Sequence, residues 1–277
     1  MSDPALDIVH QAVQALQLRG DTARASASTL ARLAATAGTK PAAPAPKPVE
    51  IRRPAPVEIP KPAPESPRTE PTYAPLPARP SGAGKAAQLA ALSGPVLACA
   101  KCPNLVASRT QVVFGVGNPD AEIMFVGEAP GADEDMVGEP FVGKAGQLLT
   151  KIIETMGLRR ADTYRATVVK CRPLEKPTPG EVATCTPYLV QQVKIIQPRV
   201  IVALGGAAVE ALLGEVAPRG QWREFQGIPV MPTLLLDDLI RDPDPYAKRP
   251  LWEDMLAILE RLGKPITEKQ RGFFLAK

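Results

Sequence analysis

The fold is decided by the stretch AEIMFVGEAPGADEDMVGEPFVGKAGQLLTKIIETMG, residues 121–157. It opens with the apolar run AEIMFVG (121–127), which ends in glycine and is typical of a strand buried on both faces. It closes with KAGQLLTKIIETMG (144–157), where apolar residues recur at helical spacing before a glycine stop. The stretch therefore predicts one strand and one helix, joined by a glycine-rich loop.

The same order of strand and helix continues to residue 263. We predict further strands at 163–171, 199–205 and 227–236, and further helices at 179–196, 206–214 and 249–263. This alternation predicts an α/β fold, a three-layer α/β/α sandwich with a central four-stranded parallel sheet. Functional residues of such sheets lie at the carboxyl ends of the strands. Those ends are Gly127-Glu128, Val169-Lys170-Cys171, Gly205-Gly206 and the 233–241 loop.

The chain before this region has a different composition, because proline is the commonest residue type from Pro41 to Pro80. Proline has no amide donor, so such a stretch predicts a disordered, semi-rigid polyproline II spacer. Residues 1–38 predict two short helices, which form either a marginal helical hairpin or an element that docks a protein partner. The predicted organisation is a short helical segment at 1–38, a Pro/Ala-rich disordered linker at 39–83, a folded domain at 84–264 and a tail at 265–277.

Charge and hydropathy restrict the class of protein only loosely. The net charge of +4 and the pI near 8.9 favour an anionic partner, although many basic proteins bind no nucleic acid. No apolar run approaches the length of a membrane span, and no signal-peptide pattern is visible. We therefore expect a cytoplasmic monomer without a membrane span.

Four cysteines indicate a metal centre. Cys99 and Cys102 form a Cys-x-x-Cys pair, Cys171 ends the second predicted strand, and Cys185 lies in the helix predicted after it. Disulfides are rare in cytoplasmic proteins, whereas four thiolates can hold either a zinc ion or a [4Fe–4S] cluster. Structural zinc sites more often use two close pairs, so the spacing favours the cluster over zinc, with unliganded thiols as the third alternative.

Three stretches resemble the family 4, iron–sulfur type of the uracil-DNA glycosylase superfamily: GEAPGADEDMVGEPFVGKAG (127–146), VVKCRP (168–173) and RVIVALG (199–205). The resemblance runs from about Leu97 to Leu262 and includes KRPLWEDMLAIL (248–259). It implies base excision from DNA containing uracil or damaged bases. It also implies that a [4Fe–4S] cluster is held by Cys99, Cys102, Cys171 and Cys185.

The resemblance further implies roles in a pocket for a flipped-out base. Phe141 matches the family's stacking aromatic, with ordinary core packing as the alternative. Glu128 is expected to orient water or support the sugar cation, with helix capping as the alternative. The amides of Gly127 to Gly131 are expected to bind the base or phosphate, and Lys144 to face a phosphate at a helix start.

The sequence departs from the family pattern at two positions. Thr167 stands where the family has a uracil-reading asparagine, and Leu235 stands where its last motif has histidine. His10 is the only histidine in the chain, and the 174–180 loop looks shortened. A threonine hydroxyl satisfies uracil and cytosine about equally, so Thr167 is expected to bind the base with little discrimination.

These departures leave three interpretations of the function. The first is a working glycosylase for uracil or a related damaged base. The second is a catalytically degenerate member that acts as an iron–sulfur DNA-binding or accessory module, and the third is a pocket for a small ligand. Arg241, Lys248 and Arg249 flank the exit of the fourth strand and are expected to bind DNA, with solvated surface cations as the alternative.

Overall fold

The computed structural model describes residues 84–242 and 244–274. The predicted helical segment at 1–38 and the predicted disordered linker at 39–83 lie outside the described residues. Within the part described, no helix combines the length and apolar character needed to cross a membrane.

A mixed sheet of six strands forms the centre of the described region. The strands are β1 (Val116–Gly117), β2 (Ile123–Gly127), β3 (Tyr164–Thr167), β4 (Val200–Leu204), β5 (Arg223–Phe225) and β6 (Ile228–Thr233). They lie in the order β1-β3-β2-β4-β6-β5. The four inner strands are mutually parallel, and β1 and β5 pair antiparallel at the two edges. The predicted parallel core is confirmed, and the two short edge strands are additions to it.

Helices cover both faces of this sheet. They are α1 (Lys85–Leu97), α2 (Pro103–Ser108), α3 (Ala132–Val137), α4 (Lys144–Thr155), α5 (Pro179–Ile196), α6 (Gly206–Leu213), α7 (Leu236–Arg241), α8 (Arg249–Arg261) and α9 (Glu268–Arg271). Short 3₁₀ turns span Arg160–Asp162 and Pro245–Lys248.

The residues of β2 alternate between two hydrophobic clusters, as side chains on a strand must. Met124 and Val126 pack in one cluster with residues of α1, α5 and α6. Ile123 and Phe125 pack in the other with residues of α4 and α8. Burial on both faces explains the continuous apolar run in the sequence, and the predicted three-layer α/β/α sandwich is confirmed.

The exit from β6 differs from the sequence-based expectation. The fourth strand was expected to reach residue 236, followed by a loop, but β6 ends at Thr233 and α7 begins at Leu236. The Thr233 hydroxyl donates to Asp254 Oδ2 at 2.6 Å, which fixes the end of the strand to α8. Most of the expected 233–241 loop is therefore helical.

The expected tail after residue 264 also packs on the domain, as far as Phe274. Trp252 Nε1 donates to the Gln270 carbonyl at 2.6 Å, and Gln270 Nε2 donates to the Thr155 carbonyl at 2.7 Å. Phe273 packs edge-on against Trp252, with 5.7 Å between the ring centroids. The folded region thus extends beyond the predicted boundary at 264.

Candidate functional site

A cleft opens at the carboxyl ends of the parallel strands. One part, with a volume of about 270 Å³, is lined by residues that include Gly127, Glu128, Leu204, Leu235 and Arg241. The other part, of about 380 Å³, is lined by residues that include Lys144 and Thr167. Both parts are lined by Ala129, Phe141, Ala145 and Asp237. They are therefore two regions of one cleft, at the sheet edge where the functional residues were predicted.

Phe141 stands in this cleft with an unusual backbone. Its φ is +59°, a left-handed value that is strained for a bulky side chain. Arg160 Nη2 donates to the Phe141 carbonyl at 2.6 Å, and Glu134 Oε1 accepts the next backbone N–H, that of Val142, at 3.0 Å. Its ring lies so close to Gly127 that a Cβ there would be 2.8 Å from Phe141 Cζ. Phe141 also packs partly on the core, so both predicted roles find support in its position.

The start of α4 forms the rim of the second region. Lys144 is the first residue of this helix, is exposed, and lines the cleft. Gly146 allows the chain to approach itself, because a Cβ at that position would overlap the carbonyl of Phe141. The expected helix start at Lys144 is confirmed, and its phosphate contact stays a prediction.

Thr167 supplies a buried polar group to the cleft. It is the last residue of β3 and is only 3% exposed. Among the residues described, its hydroxyl has no hydrogen-bond partner. A buried polar group without a partner costs about 1–3 kcal/mol, so a ligand that bonds to this hydroxyl would relieve the penalty.

Lys170 links the end of β3 to the cysteines. Its side chain is fully buried, and its ammonium donates to the Thr167 carbonyl and to Gln192 Oε1, each at 2.7 Å. Burial lowers the pKa of Lys170 to about 7. Its backbone N–H donates to Cys185 Sγ at 3.3 Å. One residue thus contacts both the strand end that carries Thr167 and a cysteine.

Glu128 directly follows β2 and lines the first region of the cleft. The alternative that it caps a helix is wrong, because Gly131 is the N-cap of α3. Leu235 lines the same region and lies against Gly205, where an added Cβ would be 3.1 Å from Leu235 Cδ1. An apolar side chain therefore stands at the position where we expect a family member to have histidine.

The predicted DNA-binding cations are distributed over two places. Arg241 ends α7 and lines the cleft. Lys248 lines a separate apolar cavity beside Trp252 and Phe274. The Arg249 guanidinium bonds to Glu253 and donates to the carbonyls of residues 271 and 273 in the C-terminal segment. The structure therefore brings Arg241 and Lys144 to the cleft but places Lys248 and Arg249 elsewhere.

The four cysteines come from three segments of the chain. Cys99 and Cys102 lie between α1 and the first turn of α2, Cys171 follows β3, and Cys185 lies in α5. Tyr188, one turn after Cys185, donates its hydroxyl to Cys99 Sγ at 3.4 Å. The fold therefore brings the first and last segments of the set together.

The thiol pKa values also reflect this proximity. Burial raises the pKa of Cys185 to about 11, and the charges of Cys171 and Cys102 act in the same direction. Burial, followed by the charges of Glu181 and Cys99, raises the pKa of Cys102. Burial also acts to raise the pKa of Cys99, but hydrogen bonds led by that from Tyr188 bring it below the ordinary value. A metal centre would keep such thiols as thiolates.

The four cysteines fit a four-thiolate centre in two respects. Thiolates are the ligands of such a centre, and the fold brings the three segments that carry them together. In the described ranges, no group of three or more His, Cys, Asp or Glu side chains is placed to hold a single metal ion. In a four-iron cluster each cysteine binds a different iron atom, so its sulfurs stand farther apart than around one ion.

The sequence did not predict several residues that line the cleft or contact the cysteines. Asp237 lines both regions of the cleft, and Glu175 and Lys176 line the first. Arg109 donates to Cys171 Sγ at 3.0 Å across 62 positions of sequence. Contacts between residues so far apart in the sequence leave no local pattern. Asp237 did leave one, because it belongs to the acidic first turn of α7.

Comparisons with known proteins agree with this arrangement. A family model described as the uracil DNA glycosylase superfamily matches residues 114–256, just over half of the chain. The chain is 54% identical over 117 residues to a type-4 uracil-DNA glycosylase of Archaeoglobus fulgidus, with 42% of this chain and 58% of the relative covered. It is 53% identical over 113 residues to that of Thermotoga maritima, with 40% and 58% covered.

A longer match is to the type-4 uracil-DNA glycosylase of Saccharolobus solfataricus, 37% identical over 183 residues, with 61% of this chain and 84% of the relative covered. The first two matches span less than two thirds of the relatives' length. The family model and the parallel-sheet cleft together show that this chain belongs to the uracil-DNA glycosylase superfamily.

Proposed function

We propose that the chain is a DNA glycosylase of base excision repair that hydrolyses the N-glycosidic bond of uracil or a related damaged base. The single observation that carries this proposal is the cleft at the strand ends. There an aromatic ring, a carboxylate and an unpartnered buried hydroxyl come together in Phe141, Glu128 and Thr167. The names of the relatives support the same activity.

Each of these groups has a task in the reaction. A base flipped out of the DNA stacks on Phe141, and the Thr167 hydroxyl bonds to its edge. The C1′–N bond breaks, and the base leaves with the bonding electron pair while positive charge develops on the sugar. Glu128 supports that charge and orients the water that adds to C1′, and it accepts a proton from this water.

Backbone and cations complete the site. Gly127 to Gly131 line the cleft, and their amides are expected to bind the base or a phosphate. Lys144 and Arg241 supply positive charge at the rim of the cleft. The first region also holds the carboxylates of Glu175 and Asp237. Uracil leaves as an anion, so these carboxylates and the absence of the family's asparagine and histidine side chains at 167 and 235 are expected to slow its departure.

We also propose that Cys99, Cys102, Cys171 and Cys185 hold a [4Fe–4S] cluster. Convergence of four thiols from three segments supports this cofactor. When bound, the cluster would supply a covalent tie between the segment before β1, the end of β3 and α5. Protein purified without oxygen should contain about four irons per chain, and stoichiometric zinc in place of iron would contradict this assignment.

The activity is tested by excision of uracil from single-stranded oligonucleotides, with a panel of other damaged bases in parallel. Abasic sites should form on at least one of these substrates. Glu128→Gln should lower the single-turnover rate by about 10²–10⁴-fold. Glu175→Gln is the matched control, because it removes the same charge from the same region of the cleft and should leave the rate unchanged or raise it.

Tight DNA binding without any abasic product, on uracil or on the panel, would contradict a glycosylase. The non-catalytic DNA-binding module would then be the better description. Equal losses in Glu128→Gln and Glu175→Gln would show instead that the charge of the cleft matters and that Glu128 has no special role.

A further inference from the structure

We propose that Arg109 is a positioning residue for the iron–sulfur centre, joining the Cys99–Cys102 segment to Cys171 and donating a hydrogen bond to the Cys171 sulfur. This inference rests on the proposed cofactor and adds a residue that belongs to none of the motifs. It assigns a function to a side chain that lies outside the cleft.

The geometry is that of a planar clamp. Arg109 Nη1 donates to Cys171 Sγ at 3.0 Å, and Nη2 donates to the Cys99 carbonyl at 2.7 Å. A guanidinium holds its donors in a fixed fork, so two simultaneous bonds set the relative position of the groups that accept them. One side chain thereby ties together two of the three segments that supply cysteines.

The backbone on both sides of Arg109 is fixed in place. Arg109 follows the last residue of α2, a helix whose N-cap is Cys102. The Ser108 hydroxyl donates to the Arg172 carbonyl at 2.8 Å, next to Cys171. The Thr110 N–H donates to the buried Asp135 carboxylate at 2.9 Å. These contacts thus hold the Arg109 side chain toward the cysteines.

The chemistry of the contact suits a cluster ligand. The arginine side chain has only donors, so its contact with Cys171 Sγ is a hydrogen bond donated to sulfur. A charged N–H donor stabilises negative charge on a thiolate, and hydrogen bonds to the sulfurs are one of the factors that set cluster potentials. Reduction adds negative charge to the cluster, so this bond should raise its reduction potential.

Three variants of the full-length protein, purified without oxygen, distinguish the effect of the two Arg109 hydrogen bonds from the effect of its positive charge. Arg109→Lys keeps the charge but lacks the fork, and Arg109→Gln removes both. Lys101→Gln is the matched control, because Lys101 lies between two of the cysteines with its ammonium over the Tyr188 ring at 5.1 Å. That control removes one positive charge and keeps both Arg109 contacts.

We expect both Arg109 variants to lose visible absorption and iron to a chelator about 10–100-fold faster than wild type, because losing a hydrogen-bond partner of a metal ligand weakens metal binding by about that factor. Lys101→Gln should lose iron near the wild-type rate. Arg109→Gln should also have a lower reduction potential than Lys101→Gln, since both variants lose one charge and only the first loses the bond to sulfur. Should Arg109→Gln fail to fold, iron loss from Arg109→Lys compared with that from Lys101→Gln still tests the clamp.

The outcomes distinguish the inference from the cofactor on which it rests. Wild-type protein without iron would overturn both. Wild-type protein with a cluster, together with unchanged iron loss and potential in the Arg109 variants, would overturn the role of Arg109 and leave the cofactor standing. If Arg109→Gln and Lys101→Gln changed iron loss and potential equally and Arg109→Lys changed neither, Arg109 would act through its charge alone, and the clamp would be overturned.

Discussion

The ring of Phe141 rests on the backbone of Gly127, and this contact leaves no room for a side chain at the end of β2. A Cβ added to Gly127 would lie 2.8 Å from Phe141 Cζ and 3.3 Å from Cε1. The strained backbone of Phe141 is meanwhile held by Arg160 and by Glu134 through its neighbour Val142. The ring, rather than the backbone, must therefore give way to any substitution at Gly127.

Gly127→Ala should consequently impair excision, because it displaces the ring that we propose stacks on the base. Stacking on an aromatic side chain contributes about 1–3 kcal/mol per base, so a loss of about tenfold or more in single-turnover rate is expected. Gly180→Ala in α5 is the control, because nothing lies within 4 Å of a Cβ at that position. Wild-type activity in Gly127→Ala would mean that Phe141 does not stack on the base.

Substitutions at Thr167 and Leu235 test whether the cleft has lost catalytic activity or acts on a different base. The combined change Thr167→Asn and Leu235→His should raise uracil excision by at least about tenfold, since it restores a paired donor and acceptor for the base edge and a donor near the departing anion. Each single change should help less, because both act on one transition state.

Asp237, which also lines the cleft, is close enough in sequence to pair with a new imidazole at 235 and turn it away. An Asp237→Ala background therefore serves as the control for the combined change. A triple variant that binds DNA yet releases no uracil would support the non-catalytic module.

Helix α3 fixes the loop that carries Arg109. Its buried Asp135 accepts the backbone N–H groups of Thr110 at 2.9 Å and Gln111 at 3.3 Å. Burial acts to raise the pKa of Asp135, but these amide donors hold that pKa below its ordinary value. The ionised carboxylate therefore stabilises the folded state.

Asp135→Asn should lower the free energy of unfolding by about 1–3 kcal/mol at pH 7, as expected for hydrogen bonds to a charged group. Because the folded pKa lies below the unfolded value of about 3.9, the contribution is complete above that value and is lost as pH falls through the folded pKa. Urea denaturation at pH 7 and below pH 4 measures the difference, which should shrink in acid. Asp133→Asn, exposed on the same helix, should change stability little, and an equal loss there would point to the helix dipole instead.

Sequence periodicity predicted the long elements well and the short ones poorly. The helix predicted at 179–196 has those bounds in α5, because Thr178 and Glu181 form a capping box at its start. The strand predicted at 227–236 was too long, because Leu234, Leu235 and Leu236 continue the apolar run while the backbone already turns into α7. Strands as short as β1 and β5 are too short to show a period.

Sequence reasoning also predicted residues that the structure brings to one cleft, but it did not predict how they pack there. The strand-end rule and the resemblance indicated Gly127, Glu128, Phe141 and Thr167, and all four line the cleft at the carboxyl ends of the strands. The missing hydrogen-bond partner of Thr167 and the clamp of Arg109 depend on tertiary packing, which no local pattern encodes.

The described region has a hydrophobic core on each face of its sheet. Both hydrophobic clusters and all six strands of the described sheet lie between residues 84 and 274. Deleting residues 1–83 should therefore leave a folded domain with its four cysteines and its cleft intact.

Circular dichroism, iron content and excision by the truncated protein measure this independence, with all three expected near their full-length values. Loss of the cluster or of solubility on truncation would show that the deleted segment contributes to the fold. A change confined to the salt dependence of DNA binding would place part of the DNA affinity in that segment.

The two edge strands bear on how the protein behaves at high concentration. A long, flat edge strand exposes unpaired N–H and C=O groups and can template the addition of strands from other molecules. Here β1 consists of Val116 and Gly117 alone, and β5 is only one residue longer and carries Arg223 and Glu224. Such short and charged edges offer little template for another chain. The folded sheet that forms the cleft is thereby protected against edge-to-edge aggregation.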